Sequence, residues 1–67
     1  ISDEAIATVY PIFSILNDND NLINILNISI SRDNTNLEYL EVLRRAYMGK
    51  KDYENAERIY QMILEIQ

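Results

Sequence analysis

Cysteine, histidine and tryptophan are absent from the 67 residues, and glycine and proline occur once each. Without cysteine there is neither a disulfide nor a thiolate nucleophile, and losing histidine as well removes nearly every zinc arrangement. A chain this short buries too small a fraction of its surface for comfortable stability, and small natural proteins add disulfides, a metal or an oligomeric partner. With the first two removed, support is expected from another chain or from further sequence. The missing cysteines fit a reducing compartment, so the expected setting is intracellular, in the cytoplasm. The longest nearly apolar run, Tyr10 to Leu16, is far too short to span a bilayer, and no signal peptide is visible. The first residue is Ile1 rather than methionine, as expected of a piece of a longer protein.

Basic residues are also scarce. Six Lys and Arg stand against eleven Asp and Glu, a net charge of −5, which argues against a phosphate backbone as ligand because cationic neutralisation dominates nucleic-acid affinity. All six lie between Arg32 and Arg58, most of them beside acidic residues, as on a solvated mixed-charge surface. Hydrophobic residues make up 48% of the chain, too many for a compositionally disordered segment.

So little glycine and proline leaves no punctuation for β-hairpins, and helical periods dominate. The expected fold is all-α, a single small module of antiparallel helical hairpins with about four helices. The first spans residues 3–16, with Ser2 or Asp3 as N-cap. Pro11 interrupts it, which predicts either a kinked helix or two short ones. Asn17 to Asp20, "NDND", is turn and cap chemistry. A second segment covers 20–31. Its end, Leu26-Asn27-Ile28-Ser29-Ile30, alternates as a strand would, but a lone strand has no evident sheet partner and helix is the expectation. As a helix, its apolar side chains spread over roughly 220° and need cover on more than one side.

A third helix is expected over 36–48. Thr35 and Glu38 have the spacing of a capping box, and Gly49 suits a left-handed residue beyond the helix end. Tyr39, Leu40, Val42, Leu43, Ala46 and Tyr47 occupy one arc of roughly 160°. Asp52 caps a fourth helix over 52–67, whose apolar set from Tyr53 to Ile66 covers roughly 200°, wider than one neighbouring helix can hide.

Within this last stretch Ala56 is a small residue among tyrosines at 47, 53 and 60. Two antiparallel helices approach closely only where a small side chain sits at their crossing, with large rings filling the groove above and below. Residues 37–67 resemble a tetratricopeptide repeat, a helix-turn-helix unit of about 34 residues. Leu43, Ala46 and Tyr47 match in the first helix, and Asp52, Tyr53, Ala56, Tyr60 and Leu64 in the second, with Leu40 where the family has tryptophan. The pattern departs at Arg44, Lys51 and Ile63, where small residues are usual, and the chain ends just before the usual proline. One repeat length back, Leu22 stands at the place of Ala56 and no aromatic corresponds to Tyr60, so the first two segments read as a divergent helical pair or a cap. The same stretch is also similar to half-a-tetratricopeptide repeats, through "ENAERIYQMIL", and to pentatricopeptide repeats, through "AY" and "AERIY". All three families stack helical hairpins into α-solenoids.

Enzymatic chemistry finds no foothold in the residues. Ser14, Ser29 and Ser31 have no lysine pattern around them, and Glu38 with Glu41 has no predicted pocket to separate two carboxyl pKa values. Surface pairing of Glu41 with Arg45 and of Glu54 with Arg58 is expected instead. Asp18-Asn19-Asp20 lacks the glycine and terminal glutamate of a calcium loop. The sequon at Asn27 falls in an expected buried helix. No metal, cofactor or catalytic residue is therefore assigned, and a non-enzymatic protein–protein interaction module is expected, a fragment of a larger helical-repeat scaffold. The alternative is an oligomerisation segment whose apolar faces form a homodimer or larger assembly. The expected partner is a protein or peptide, with neither nucleic acid nor membrane bound directly. The resemblance implies that Glu38, Glu41, Arg45 and Met48 line a concave binding face. The wide apolar arcs make Leu22, Ile25, Ile28, Ile59, Met62 and Ile66 candidates for burial against something beyond the monomer.

Overall fold

A computed structural model describes all of residues 1–67 as four helices and no strand: α1 (Asp3–Ile15), α2 (Asn19–Arg32), α3 (Leu37–Gly49) and α4 (Tyr53–Ile66). All four expected helices are present with ends within one residue, and the alternating end of α2 is helical. At Pro11 a single helix runs through. The ring lies on an exposed side, where the carbonyl freed at exposed Ala7 meets water.

Every helix starts with the same device, a side-chain oxygen accepting a backbone N–H three residues on. Ser2 accepts from Ala5, Asp18 from Asn21, Asn36 from Tyr39 and Asp52 from Asn55. The capping box expected at Thr35 and Glu38 does not form: Asn36 takes the cap, while the Thr35 hydroxyl donates to Asp33 at 2.6 Å and Glu38 accepts from Tyr10. Asparagine is the stronger N-cap. Gly49 is likewise not left-handed. It ends α3 in helical conformation, and Lys51 takes the positive φ, 60°. A Cβ at Gly49 would lie 2.7 Å from Asn19 Nδ2, the end of a flexible side chain that would have to turn aside.

The two hairpins repeat each other at one offset, 34 positions. The caps Ser2 and Asp18 recur as Asn36 and Asp52, and both ends of α1 and α2 recur as those of α3 and α4. Left-handed Asn17, φ 55°, recurs as Lys51. The turn bonds recur too. N–H groups of Leu16, Asn17 and Asp18 donate to the carbonyls of Ile12, Ser14 and Phe13, and those of Lys50, Lys51 and Asp52 donate to Ala46, Met48 and Tyr47. The wide bond from the third residue past the helix end, Asp18 or Asp52, back into the last turn satisfies a carbonyl that has no partner within the helix. Side-chain identities had shown no good match at this distance, because caps and turns carry the repeat while most core residues differ.

Packing follows chain order. Backbones approach only between α1 and α2, α2 and α3, and α3 and α4, so the array does not close on itself. It measures 27 × 24 × 15 Å. The core is wholly apolar, from Ile6 on α1 through Leu22, Ile25, Leu26 and Ile30 on α2, Leu40, Leu43, Ala46 and Tyr47 on α3, to Ala56, Ile59 and Ile63 on α4. The broad apolar arc of α2 finds its two-sided cover within the chain, between α1 and α3. The Tyr47 hydroxyl accepts from Asn27 Nδ2 at 3.0 Å, which gives the buried ring's polar end a partner.

Two caps also set the response to acid. Hydrogen bonds from the Asn55 side chain and backbone hold the Asp52 carboxyl below its ordinary range, and bonds from the Thr35 hydroxyl and N–H do the same for Asp33. A carboxyl whose pKa is depressed on folding stabilises above its unfolded pKa, and the contribution is lost as pH falls through the folded value. There is no histidine to titrate near neutrality. Thermal midpoints are therefore expected to stay level through neutral pH and to drop below about pH 4, with a shallower drop in Asp52→Asn, which keeps a good cap but cannot ionise. An equally steep drop in that variant would show that the cap does not carry the effect.

Candidate functional site

The exposed apolar residues, rather than any polar cluster, distinguish the surface of this chain. On α4, Tyr53, Tyr60 and Leu64 follow one another at helical spacing and are 59%, 43% and 45% exposed. Beside them on α3 lies Met48, also exposed. Between the two helices is a groove of about 310 Å³, floored by buried Ala56 and walled by Arg44, Met48, Tyr53, Glu57 and Tyr60. Of the three tyrosines around Ala56, only Tyr47 fills the core. The other two stand outside it as walls.

The groove's charges are unequally satisfied. The Arg44 guanidinium lies 5.8 Å from the centroid of the Tyr60 ring and 3.4 Å from a Glu41 carboxylate oxygen. Its Nε is buried and has no acceptor within the chain. This pairing replaces the one expected between Glu41 and Arg45. Arg58 likewise does not pair with Glu54 but donates to Asn55 Oδ1 at 3.3 Å and reaches the Met62 sulfur.

The four concave-face candidates occupy the exposed arc of α3 but look in different directions. Glu38 accepts from the Tyr10 hydroxyl at 2.9 Å on the α1 side. Burial, and then that bond to a carboxylate, raise the Tyr10 pKa. Arg45 lines a separate hollow with Ser14, Asn17 and Asn19. Glu41 turns to Arg44, and Met48 belongs to the α3–α4 groove. The six interface candidates also divide. Leu22, Ile25 and Ile59 are buried by this chain itself, which corrects the expectation that they need an outside cover. Met62 is half-buried against the core, while Ile28 and Ile66 remain exposed. Tyr53, Tyr60 and Leu64 belong to the apolar arc of α4 that is wider than one neighbouring helix can hide. Only the structure shows that α3 hides one side of this arc and leaves the other open.

At the opposite end of the array, Ile12, Ile15 and Leu16 form a second exposed apolar group, with Ile15 81% exposed. Among the acidic residues, Asp18 caps α2 and Asp20 pairs with Lys50, and no group of acidic side chains converges as a metal site would require. No helix is long and apolar enough to cross a membrane. Comparison with protein-family models, with curated proteins and with solved structures gives no match.

Proposed function

We propose that this chain is a non-enzymatic protein-binding module that receives a helix of another polypeptide on the face formed by α3 and α4, and that it works within a larger helical array in the cytoplasm. One observation carries this reading. The face of α1 and α2 is covered by α3, whereas the equivalent face of α3 and α4 is open. Leu26 and Ile30 of α2 are buried, and the residues 34 positions later, Tyr60 and Leu64, are exposed. Burying an apolar side chain of that size is worth about 1.5–3 kcal/mol, so an aligned row of them favours a cover. The offset also equals the repeat length of the tetratricopeptide family, which supports the resemblance and with it a stacked-hairpin scaffold. The acidic surface and the lack of a basic patch favour protein over nucleic acid as partner.

A synthetic peptide with the sequence of α3, residues 37–49, is a direct probe because α3 is the helix seated on the equivalent face. Its addition is expected to shift the NMR signals of the Met48 methyl and of the Tyr53 and Tyr60 rings, leaving Arg45 and Ser14 unmoved. Absence of any shift at the groove would refute a helix-receiving face.

A further inference from the structure

We infer that the hollow holding Arg45, on the seam where α1, α2 and α3 meet, is a binding site for a small carboxylate carried on a short aliphatic stem. Its walls come from three consecutive helices and the first turn, not from the outer faces of α1 or α4. It stands independently of the helix-receiving α3–α4 face.

The seam has a hollow at each end, and Tyr10 crosses between them, with its hydroxyl on Glu38 and its ring against Tyr39. In the hollow of about 200 Å³ beside the start of α1, Asp3, Arg32, Asp33 and Asn36 all have bonding partners within the chain. The hollow at the other end, of about 250 Å³, differs. Ser14, Asn17, Asn19 and Arg45 line it, and none of these side chains is engaged in a hydrogen bond within the chain. Arg45 is also the one arginine without a partner, since Arg32 pairs with Asp3, Arg44 with Glu41, and Arg58 donates to Asn55. No acidic residue lines the hollow. The acids nearest in sequence are engaged elsewhere, Asp18 as the cap of α2, Asp20 with Lys50 and Glu41 with Arg44. The result is a pocket of uncancelled positive charge in a chain of net charge −5.

Four properties of the hollow select the ligand. The guanidinium presents a planar fork of N–H donors that matches a carboxylate, and the Ser14 hydroxyl and two asparagine amides add further donors. One guanidinium balances a single negative charge, whereas a phosphate monoester carries about −1.5 to −2 and would leave the excess unbalanced in an acidic protein. The floor is apolar, formed by buried Leu22 and Ala46 and half-buried Val42. An aliphatic stem covers that floor, and a bare ion leaves it wet. Length is limited as well. Tyr10 crosses the seam on one side, and on the other Asn19 lies against Gly49 and Lys50 pairs with Asp20, which ties α2 to α3. A polypeptide segment passing through has no path, so the carboxylate belongs to a free small acid or to the end of a chain.

The test is an NMR titration of the full chain with isovalerate at neutral pH. Isovalerate is expected to move the side-chain signals of Arg45, Asn17 and Asn19 along a saturable curve, while Met48, Tyr53 and Tyr60 stay unmoved. Isovaleramide, its uncharged analogue, should move none of them, and acetate, which lacks the stem, should bind several-fold more weakly. The α3 peptide, whose carboxylate follows Gly49, also lacks the stem and should stay out of the hollow. Arg45→Gln should weaken isovalerate binding by about tenfold or more, the loss expected when a charged hydrogen-bond donor is removed. Arg45→Lys, which keeps the charge without the fork, should fall between the two. Position 45 is exposed, and circular dichroism should show unchanged helix content in both variants. An acetylated peptide ending in valine tells the two sources apart: tighter binding than isovalerate, lost on amidation of its terminus, names a chain end, and weaker binding names the free acid. Inorganic phosphate moving the same signals as strongly, a response that does not saturate, or binding that Arg45→Gln leaves intact would overturn the inference.

Discussion

Leu43→Ala is expected to lose about 2–5 kcal/mol, the range for truncating a fully buried leucine where the surroundings relax only in part. Leu43 has no exposed surface and sits on α3, which packs against both α2 and α4. A cavity there loosens both hairpins at once. A domain of this size has a total stability of order 5–10 kcal/mol, so the variant loses a large share of it and its urea midpoint should lie far below that of the parent. The control is Leu64→Ala, the same chemical change at an exposed position, expected within about 0.5 kcal/mol of the parent. Similar losses in the two would mean that Leu64 is already covered, as by self-association, and repeating the measurement at lower protein concentration separates that case.

How much of this was legible beforehand depended on the kind of signal. Helix number and ends were readable because Ser2, Asp18 and Asp52 are strong cap residues placed before periodic apolar runs. The inward arc of α3 was readable for the same reason. What could not be read was which of two adjacent apolar stripes on α4 faces a neighbour. Tyr53, Tyr60 and Leu64 differ from Ile59 and Ile63 by less than half a turn, and only the crossing of α3 decides between them. Leu22 and Ile25 are buried because α2, whose apolar arc of roughly 220° looks unsupported in the sequence, lies between two neighbours, and Ile59 because it falls on the part of the α4 arc that faces α3. At Thr35 the pattern was present but a stronger cap stood one residue on. The internal repeat is hidden in the sequence because most core residues differ between the hairpins, whereas the shared geometry lies in polar turn atoms and one left-handed residue.

The repeat also bears on Ala56. Its counterpart in the first hairpin is Leu22, and the counterparts of Leu43 and Tyr47 are Val9 and Phe13. Both second-helix positions are buried, at 4% and 3% exposure. Bulk has thus been exchanged across an equivalent crossing, with a large residue on the second helix facing smaller ones on the first in one hairpin, and the reverse in the other. Cores tolerate such exchange when total volume is kept and resist insertion when it is not. Ala56→Leu alone is therefore expected to cost about 1–3 kcal/mol by overpacking α3 against α4, read as a lowered urea midpoint at unchanged slope. Leu43→Val alone should also destabilise, by the removal of one buried methylene. The double variant reproduces the Val9 and Leu22 combination of the first hairpin and should lose less than the two single changes added together. Neighbouring residues that share a space show such coupling at about 0.5–3 kcal/mol. Strict additivity would mean that positions 43 and 56 do not share that space, and that the equivalence of the hairpins stops at the backbone.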